Sequence, residues 1–106
     1  MKEQTIERIR RFTDERDWDQ FHSPANLAKS TSIEANELLE CFQWSDTDYD
    51  IQHVKEELAD VFNYALLIAS KYGFDVAAIV REKLARNAEK YPVDKAKGVA
   101  TKYNEF

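Results

Sequence analysis

Two glycines and two prolines are all the breakers that this chain of 106 residues supplies. That leaves too few turn residues for the many tight reversals of a β-sandwich or barrel. Apolar residues instead recur at helical spacing. Ile6, Ile9 and Phe12, every third residue, predict a first helix from about Glu3 to Arg16. The segment RDWDQFHSP breaks the pattern, and Ser23 before Pro24 reads as an N-cap with proline in the first turn. The second helix runs to about Phe42, with Leu27, Ala28, Ala35, Leu38, Leu39 and Phe42 on its apolar side. After the polar stretch SDTDYD, a third helix from Ile51 to Tyr72 carries Val54, Leu58, Val61, Phe62, Ala65, Leu66, Ile68 and Ala69, and Gly73 reads as its C-cap. Asp75 caps a fourth, from about Val76 to Lys90, in which Val76, Ile79, Val80 and Leu84 repeat at helical spacing, with Pro92 just beyond. The remainder, VDKAKGVATKYNEF, shows no strong periodicity and reads as an extended tail that packs on the bundle or on a neighbouring subunit. The expectation is an all-α, four-helix bundle-like architecture, one domain spanning 1–106 with its tail at 93–106.

Hydrophobic residues at 43% and charged residues at 33% suffice for a core beneath a solvated surface. A net charge of -5 gives no sequence-wide pull toward a nucleic-acid polymer or an anionic membrane, so a phosphorylated ligand would need a bridging cation. The one cysteine, Cys41, falls inside an apolar helical pattern and reads as a small hydrophobe. The N-terminal MKEQTIERIRRF lacks a continuous apolar stretch, so neither a secretory signal nor a membrane span is read there and a cytoplasmic location is expected.

Chemistry is concentrated in two acidic pairs. Glu34 and Glu37 are three residues apart on the second helix, within about 60° of each other and one turn apart. Glu57 and Asp60 repeat the spacing on the third. Packing these helices antiparallel would gather all four carboxylates into an oxygen-rich site suited to Mg²⁺, with Mn²⁺ as a substitute. Most such spacings are ordinary solvated acids, but both pairs adjoin the most apolar stretches of their helices, where a carboxylate needs a cation or a basic partner. A ferritin-like di-iron site would need Glu-x-x-His motifs. Neither His22, ahead of the second helix, nor His53, in the first turn of the third and read as a solvated surface residue, provides one.

The stretches EANELLECFQW (34–44), EELADVFNY (56–64) and KLARNAEKYPV (83–93), with RDWDQFHSPANL upstream and GVATKY in the tail, resemble the all-α nucleoside triphosphate pyrophosphohydrolases, particularly the MazG-like and dCTP pyrophosphatase branch. The resemblance covers most of the chain. It implies hydrolysis of a (deoxy)nucleoside triphosphate to the monophosphate and pyrophosphate by a metal-activated water, with dCTP-like substrates favoured and nucleotide-pool house-cleaning as the role. Glu34, Glu37, Glu57 and Asp60 match the family's metal ligands, and Glu37 and Glu40 are the candidates, by position, for accepting the water's proton. Lys83 and Asn87, four apart on the fourth helix, are read as contacts to phosphate or sugar, and Tyr64 matches a ligand-contacting tyrosine. Trp18, His22 and Trp44 are the candidates for stacking on or hydrogen-bonding the base. Ala35 and Asn36 depart from the pattern, in which a glycine often precedes the second glutamate, and such departures bear on substrate preference more than on metal chemistry.

Four short helices, two of which line a polar cleft, bury a thin core, and the third has more apolar circumference than one bundle face requires. A homodimer or homotetramer is therefore expected, with fourth-helix residues reaching a neighbour's site. Alternatives are the same fold acting on dUTP or a phosphoribosyl nucleotide, and a non-catalytic helical interaction module.

Overall fold

A computed structural model describes residues 3–105, and every regular element among them is helical. They divide into two compact units, one up to Phe74 and one from Asp75. The first holds α1 (Glu3–Glu15), α2 (Pro24–Glu40) and α3 (Ile51–Tyr72), with a 3₁₀ turn at Asp19–Phe21. The second holds α4 (Val76–Lys90), a short α5 (Val93–Ala96) and a 3₁₀ turn at Tyr103–Glu105. The all-α expectation is met, and among the described residues no helix is long and apolar enough to cross a membrane.

The helix ends follow local chemistry. The Ser23 hydroxyl accepts the Asn26 N–H at 3.1 Å, and Pro24 opens α2, where a missing N–H leaves nothing unsatisfied. Asp50 accepts the Gln52 N–H at 3.0 Å to start α3, and Asp75 accepts the Ala78 N–H at 3.3 Å to start α4. At the end of α3 the chain turns through Gly73 in the left-handed region, φ +69°, and the Phe74 N–H donates back to the Ala69 carbonyl at 2.9 Å. The expected caps at Ser23, Gly73 and Asp75 are all in place.

Within the first unit α2 lies against α3, and α1 also meets α3. Glu37 pairs with Glu57 while Glu34 feels Asp60, so rising numbers on α2 meet falling numbers on α3 and the two run antiparallel. The core is small. Leu27 is fully enclosed, and Leu66, Leu67 and Ala69 are buried in the second half of α3, beyond its acidic residues. Periodicity placed Phe12, Leu39, Leu58 and Phe62 on buried faces, but the single chain leaves all four exposed, Leu39 at 66%. The helical stripes are real, yet this chain alone has too few neighbouring elements to cover them.

The tail also differs from its reading. Pro92 supplies the carbonyl that accepts the Lys95 and Ala96 N–H groups, which nucleates α5 where an extended segment was expected. Tyr103 then meets Tyr91 edge-on at 5.8 Å, with the Lys90 ammonium 4.9 Å above its ring, so the tail folds back on the end of α4. Phe106, the last residue of the expected tail, lies outside the described residues, as do Met1 and Lys2 of the N-terminal stretch read for a signal.

At Gly73 no atom would obstruct a Cβ, so substitution there meets backbone strain alone. Gly73→Ala should lower unfolding free energy by about 1 kcal/mol, the penalty of a left-handed L-residue. Urea denaturation at fixed protein concentration checks it, and an unchanged midpoint would mean that this turn does not hold the end of α3.

Candidate functional site

Glu34, Glu37 and Glu57 each offer a carboxylate oxygen, and the three oxygens lie within 4.8 Å of one another. All three side chains are half-buried at the α2–α3 seam. The i, i+3 spacing puts Glu34 and Glu37 on one face of α2, and the antiparallel crossing presents Glu57 to them. Among the described residues, Oε2 of Glu34 and Oε2 of Glu57 are buried and make no hydrogen bond. Carboxylate oxygens withdrawn from water without a donor are unstable as anions, so the protons are held more tightly. Burial first, then the hydrogen bond and charge of Glu37 and the charges of Asp60 and Glu57, push the Glu34 carboxyl up to about 7. Burial and Glu37 raise Glu57 in the same way, opposed by His53.

Asp60 stands outside the trio but within electrostatic reach of Glu34. His53, read from sequence as a solvated surface residue, is indeed more than half exposed, yet its Nε2 lies 3.2 Å from Glu57 Oε1. The i, i+4 spacing of His53 and Glu57 was the available signal for that contact. Glu40 is exposed at the last position of α2 and also lies outside the trio. Cys41 is half-buried, and its thiol donates to the Glu37 carbonyl at 3.7 Å. Burial raises its pKa, as expected of a packed thiol.

Asp60 and Tyr64 also line a cavity of about 430 Å³ between α1 and α3. From α3 come Asp60, Asn63, Tyr64 and Leu67, and from α1 come Thr5, Arg8, Ile9 and Phe12, each set repeating at i, i+3, i+4 and i+7, with Thr13 beside Phe12. One face of each helix thus forms a wall. Trp18 and His22, from the connection between α1 and α2, complete it. That connection is fixed by its own backbone. The Trp18 N–H donates to the Thr13 carbonyl at 3.0 Å, and Asn26 donates to the Phe21 carbonyl at 3.0 Å. Asp17 takes φ +54°, a conformation that aspartate tolerates better than most residues. Lys71 near the end of α3 pairs with Asp19 in the 3₁₀ turn, and its hydrogen bond and then its charge hold the Asp19 carboxyl below the usual range. Trp18 meets the Phe12 ring edge-on at 5.7 Å, and His22 meets Tyr64 in the same way at 6.4 Å. Burial raises the Tyr64 hydroxyl pKa, and the charges of Glu34, Asp60 and Glu37 raise it further, which puts Tyr64 between the cavity and the acids.

The structure therefore gathers Glu34, Glu37 and Glu57 at one seam and Trp18, His22, Asp60 and Tyr64 in an adjoining groove. Trp44 is not among the groove's residues; it follows α2 and is 89% exposed. Lys83 and Asn87 share one face of α4, in the second unit, Lys83 exposed and Asn87 half-buried. The sequence reading did not single out Arg8 or Asn63. Asn63, a polar residue inside the most apolar helix, could have been noticed for that interruption alone.

A half-buried set of hard oxygen donors can hold a divalent cation, and an apolar groove with polar groups among its walls can hold a planar organic ligand. Comparison with known proteins gives the family. The sequence matches the MazG-like family over residues 29–106. It is 40% identical to dCTP pyrophosphatase 1 of Mus musculus over 117 residues, covering 98% of this chain and 69% of that protein. Against dCTP pyrophosphatase 1 of Homo sapiens the identity is 35% with the same coverage. The fold is similar to the crystal structure of a pyrophosphatase from Archaeoglobus fulgidus, with a TM-score of 0.80 and 37% identity over 85% of this chain and 91% of that one. This chain belongs to the MazG-like family and is a nucleoside triphosphate pyrophosphohydrolase.

Proposed function

We propose that this enzyme is Mg²⁺-dependent, with Mn²⁺ as a substitute, and favours dCTP-like deoxynucleoside triphosphates, keeping the nucleotide pool in balance. The observation that carries the metal assignment is the pair of buried, unbonded carboxylate oxygens on Glu34 and Glu57 beside Glu37. Glu34, Glu37, Glu57 and Asp60 are the proposed ligands. When bound, the cation offsets triphosphate charge and lowers the pKa of the attacking water. Glu37 and Glu40 are the candidate bases for that water's proton, and the position of Glu37 inside the trio favours it over the exposed Glu40. As water bonds to the α-phosphorus, the bridge to the β-phosphorus breaks, releasing monophosphate and pyrophosphate.

The groove beside Asp60 is the proposed place of the base. Trp18 offers an aromatic face, while His22 and Tyr64 carry polar tips between that face and the acids. Trp44, Lys83 and Asn87 remain proposed substrate contacts, Lys83 and Asn87 for phosphate and sugar oxygens. The dCTP preference rests on the dCTP pyrophosphatase 1 relatives. Exposed Leu39, Leu58 and Phe62 support association into a dimer or tetramer, in which α4 reaches a neighbour's site.

Pyrophosphate release from a panel of triphosphates should appear with Mg²⁺, vanish with chelator, and fall at least about 100-fold in Glu37→Gln and Asp60→Asn. Full activity in either variant would remove that residue from the site. The raised Glu34 carboxyl gives a second test, since without cation the folded chain keeps a proton that the unfolded chain has released between pH 4.5 and about 7. Stability of the chelated protein should therefore fall as pH rises through that window. Saturating Mg²⁺ should flatten the slope. Equal melting-temperature slopes with and without cation would separate the cluster from metal binding. Light scattering should give at least twice the 12.4 kDa chain mass, reduced by Phe62→Glu; a wild-type monomer would sink the association.

A further inference from the structure

The groove between α1 and α3 has more polar capacity than Trp18, His22 and Tyr64 provide. Arg8 projects into it from α1, and Asn63 from α3. Asn63 lies one turn beyond Asp60, about 4.5 Å further along the helix at ~1.5 Å per residue, on the stripe that leads away from the acids. Of the other polar groups there, His22 keeps a buried Nδ1 without a hydrogen-bond partner and already belongs to the proposed base contacts. The Thr13 hydroxyl donates to the Arg10 carbonyl at 2.8 Å, and Tyr64 is close to the acids. The amides of Asn26 and Asn36 are spent on the Phe21 and Ser32 carbonyls, whereas that of Asn63 has no such bond among the described residues. Ion pairs among those residues join Arg16 to Glu15, His53 to Glu57 and Lys71 to Asp19, and Arg8 takes part in none. Arg8 and Asn63 therefore add two uncommitted hydrogen-bonding side chains to a cavity whose apolar wall is Ile9, Phe12, Trp18 and Leu67.

We propose that Asn63 and Arg8 determine base preference, gripping the polar edge of a nucleobase whose face lies against the aromatic wall. The inference rests on the groove being the base site, as proposed above. Asn63 offers one acceptor and two donors, and can match an amino group beside a ring nitrogen, the edge carried by cytosine and adenine. An amide alone can turn over and accept a keto edge as well. Arg8 donates only, so it adds a requirement for a further acceptor on the ligand. The class selected is a base with an unsubstituted hydrogen-bonding edge. A base alkylated on that edge would leave both side chains desolvated and unpaired, which a polar site rejects strongly. Neither residue touches the reacting phosphorus in this arrangement, so both set specificity and leave the chemical step alone.

The test uses the full chain with Mg²⁺, as wild type, Asn63→Leu and Arg8→Met. The four deoxynucleoside monophosphates are titrated calorimetrically, and kcat and KM are measured for the four triphosphates. Both substitutions are at exposed positions, so folding should survive. The expected result is a roughly tenfold narrowing of the ratio between the best and second-best base, through KM, with kcat within about twofold. Pyrophosphate release with a base ranking unmoved in both variants overturns the inference and leaves the reaction standing. A wild type without turnover, whose ranking of monophosphates is erased by Asn63→Leu, supports the inference and removes the proposed reaction. A wild type that binds all four bases alike overturns it.

Discussion

Crowded acids at the α2–α3 seam set the terms for the rest of this molecule. Three carboxylate oxygens within 4.8 Å, two side chains of which also hold a buried oxygen without a hydrogen bond, repel one another in a setting that water screens poorly. The seam persists because the apolar contacts that hold it lie elsewhere. Leu66, Leu67 and Ala69 are buried in the second half of α3, while Glu57 and Asp60 occupy the first. His53 relieves Glu57 in part, and burial and the crowding push the Glu34 carboxyl up to about 7. A cation held at the seam would therefore stabilise the fold as it bound.

Asp60 and Tyr64 connect this seam to the groove. Asp60 acts on the charge of Glu34 from one side and lines the cavity on the other, and the Tyr64 hydroxyl is shifted by three of the acids while its residue forms part of the groove. With a cation at the seam, a ligand with an anionic end and a planar apolar end would span both places. The α1–α2 connection makes this possible, because its turn closes with short backbone and side-chain bonds and is pinned to α3 by Asp19 and Lys71. An exposed pair of that kind adds little stability by itself. Its effect is geometric, since it fixes where Trp18 and His22 stand.

What the sequence revealed was local in origin. Ser23, Gly73 and Asp75 cap helices through contacts no more than five residues long, so residue type and spacing were enough. The acidic pairs were legible because i, i+3 spacing on two helices needs only an antiparallel crossing to converge. Arg8 and Asn63 were not legible, because their shared groove depends on how α1 leans on α3, which no periodicity encodes. Phe12 shows the same limit. Its stripe reads as a core face, but the structure leaves it as an exposed wall of a cavity. The tail escaped because α5 and the Tyr91–Tyr103 contact depend on Pro92 and on folding back, with no repeat to announce either.

The faces of α3 explain why a single chain is left so apolar outside. At ~100° per residue, Asp60, Asn63, Tyr64 and Leu67 cluster on the groove side, and Glu57 sits beside them toward α2. Leu58 and Phe62 fall on the opposite side, where both are exposed. One helix cannot give two faces to ligand chemistry and still bury its whole apolar circumference within a unit of three helices. Either those residues stay wet, which an exposed apolar patch disfavours, or a second surface covers them. In the association proposed above, the covering element would press on α3 from behind the residues that face the ligand. Interface and site would then share one rigid rod, and the spacing of Glu57 and Asp60 from α2 would depend on both.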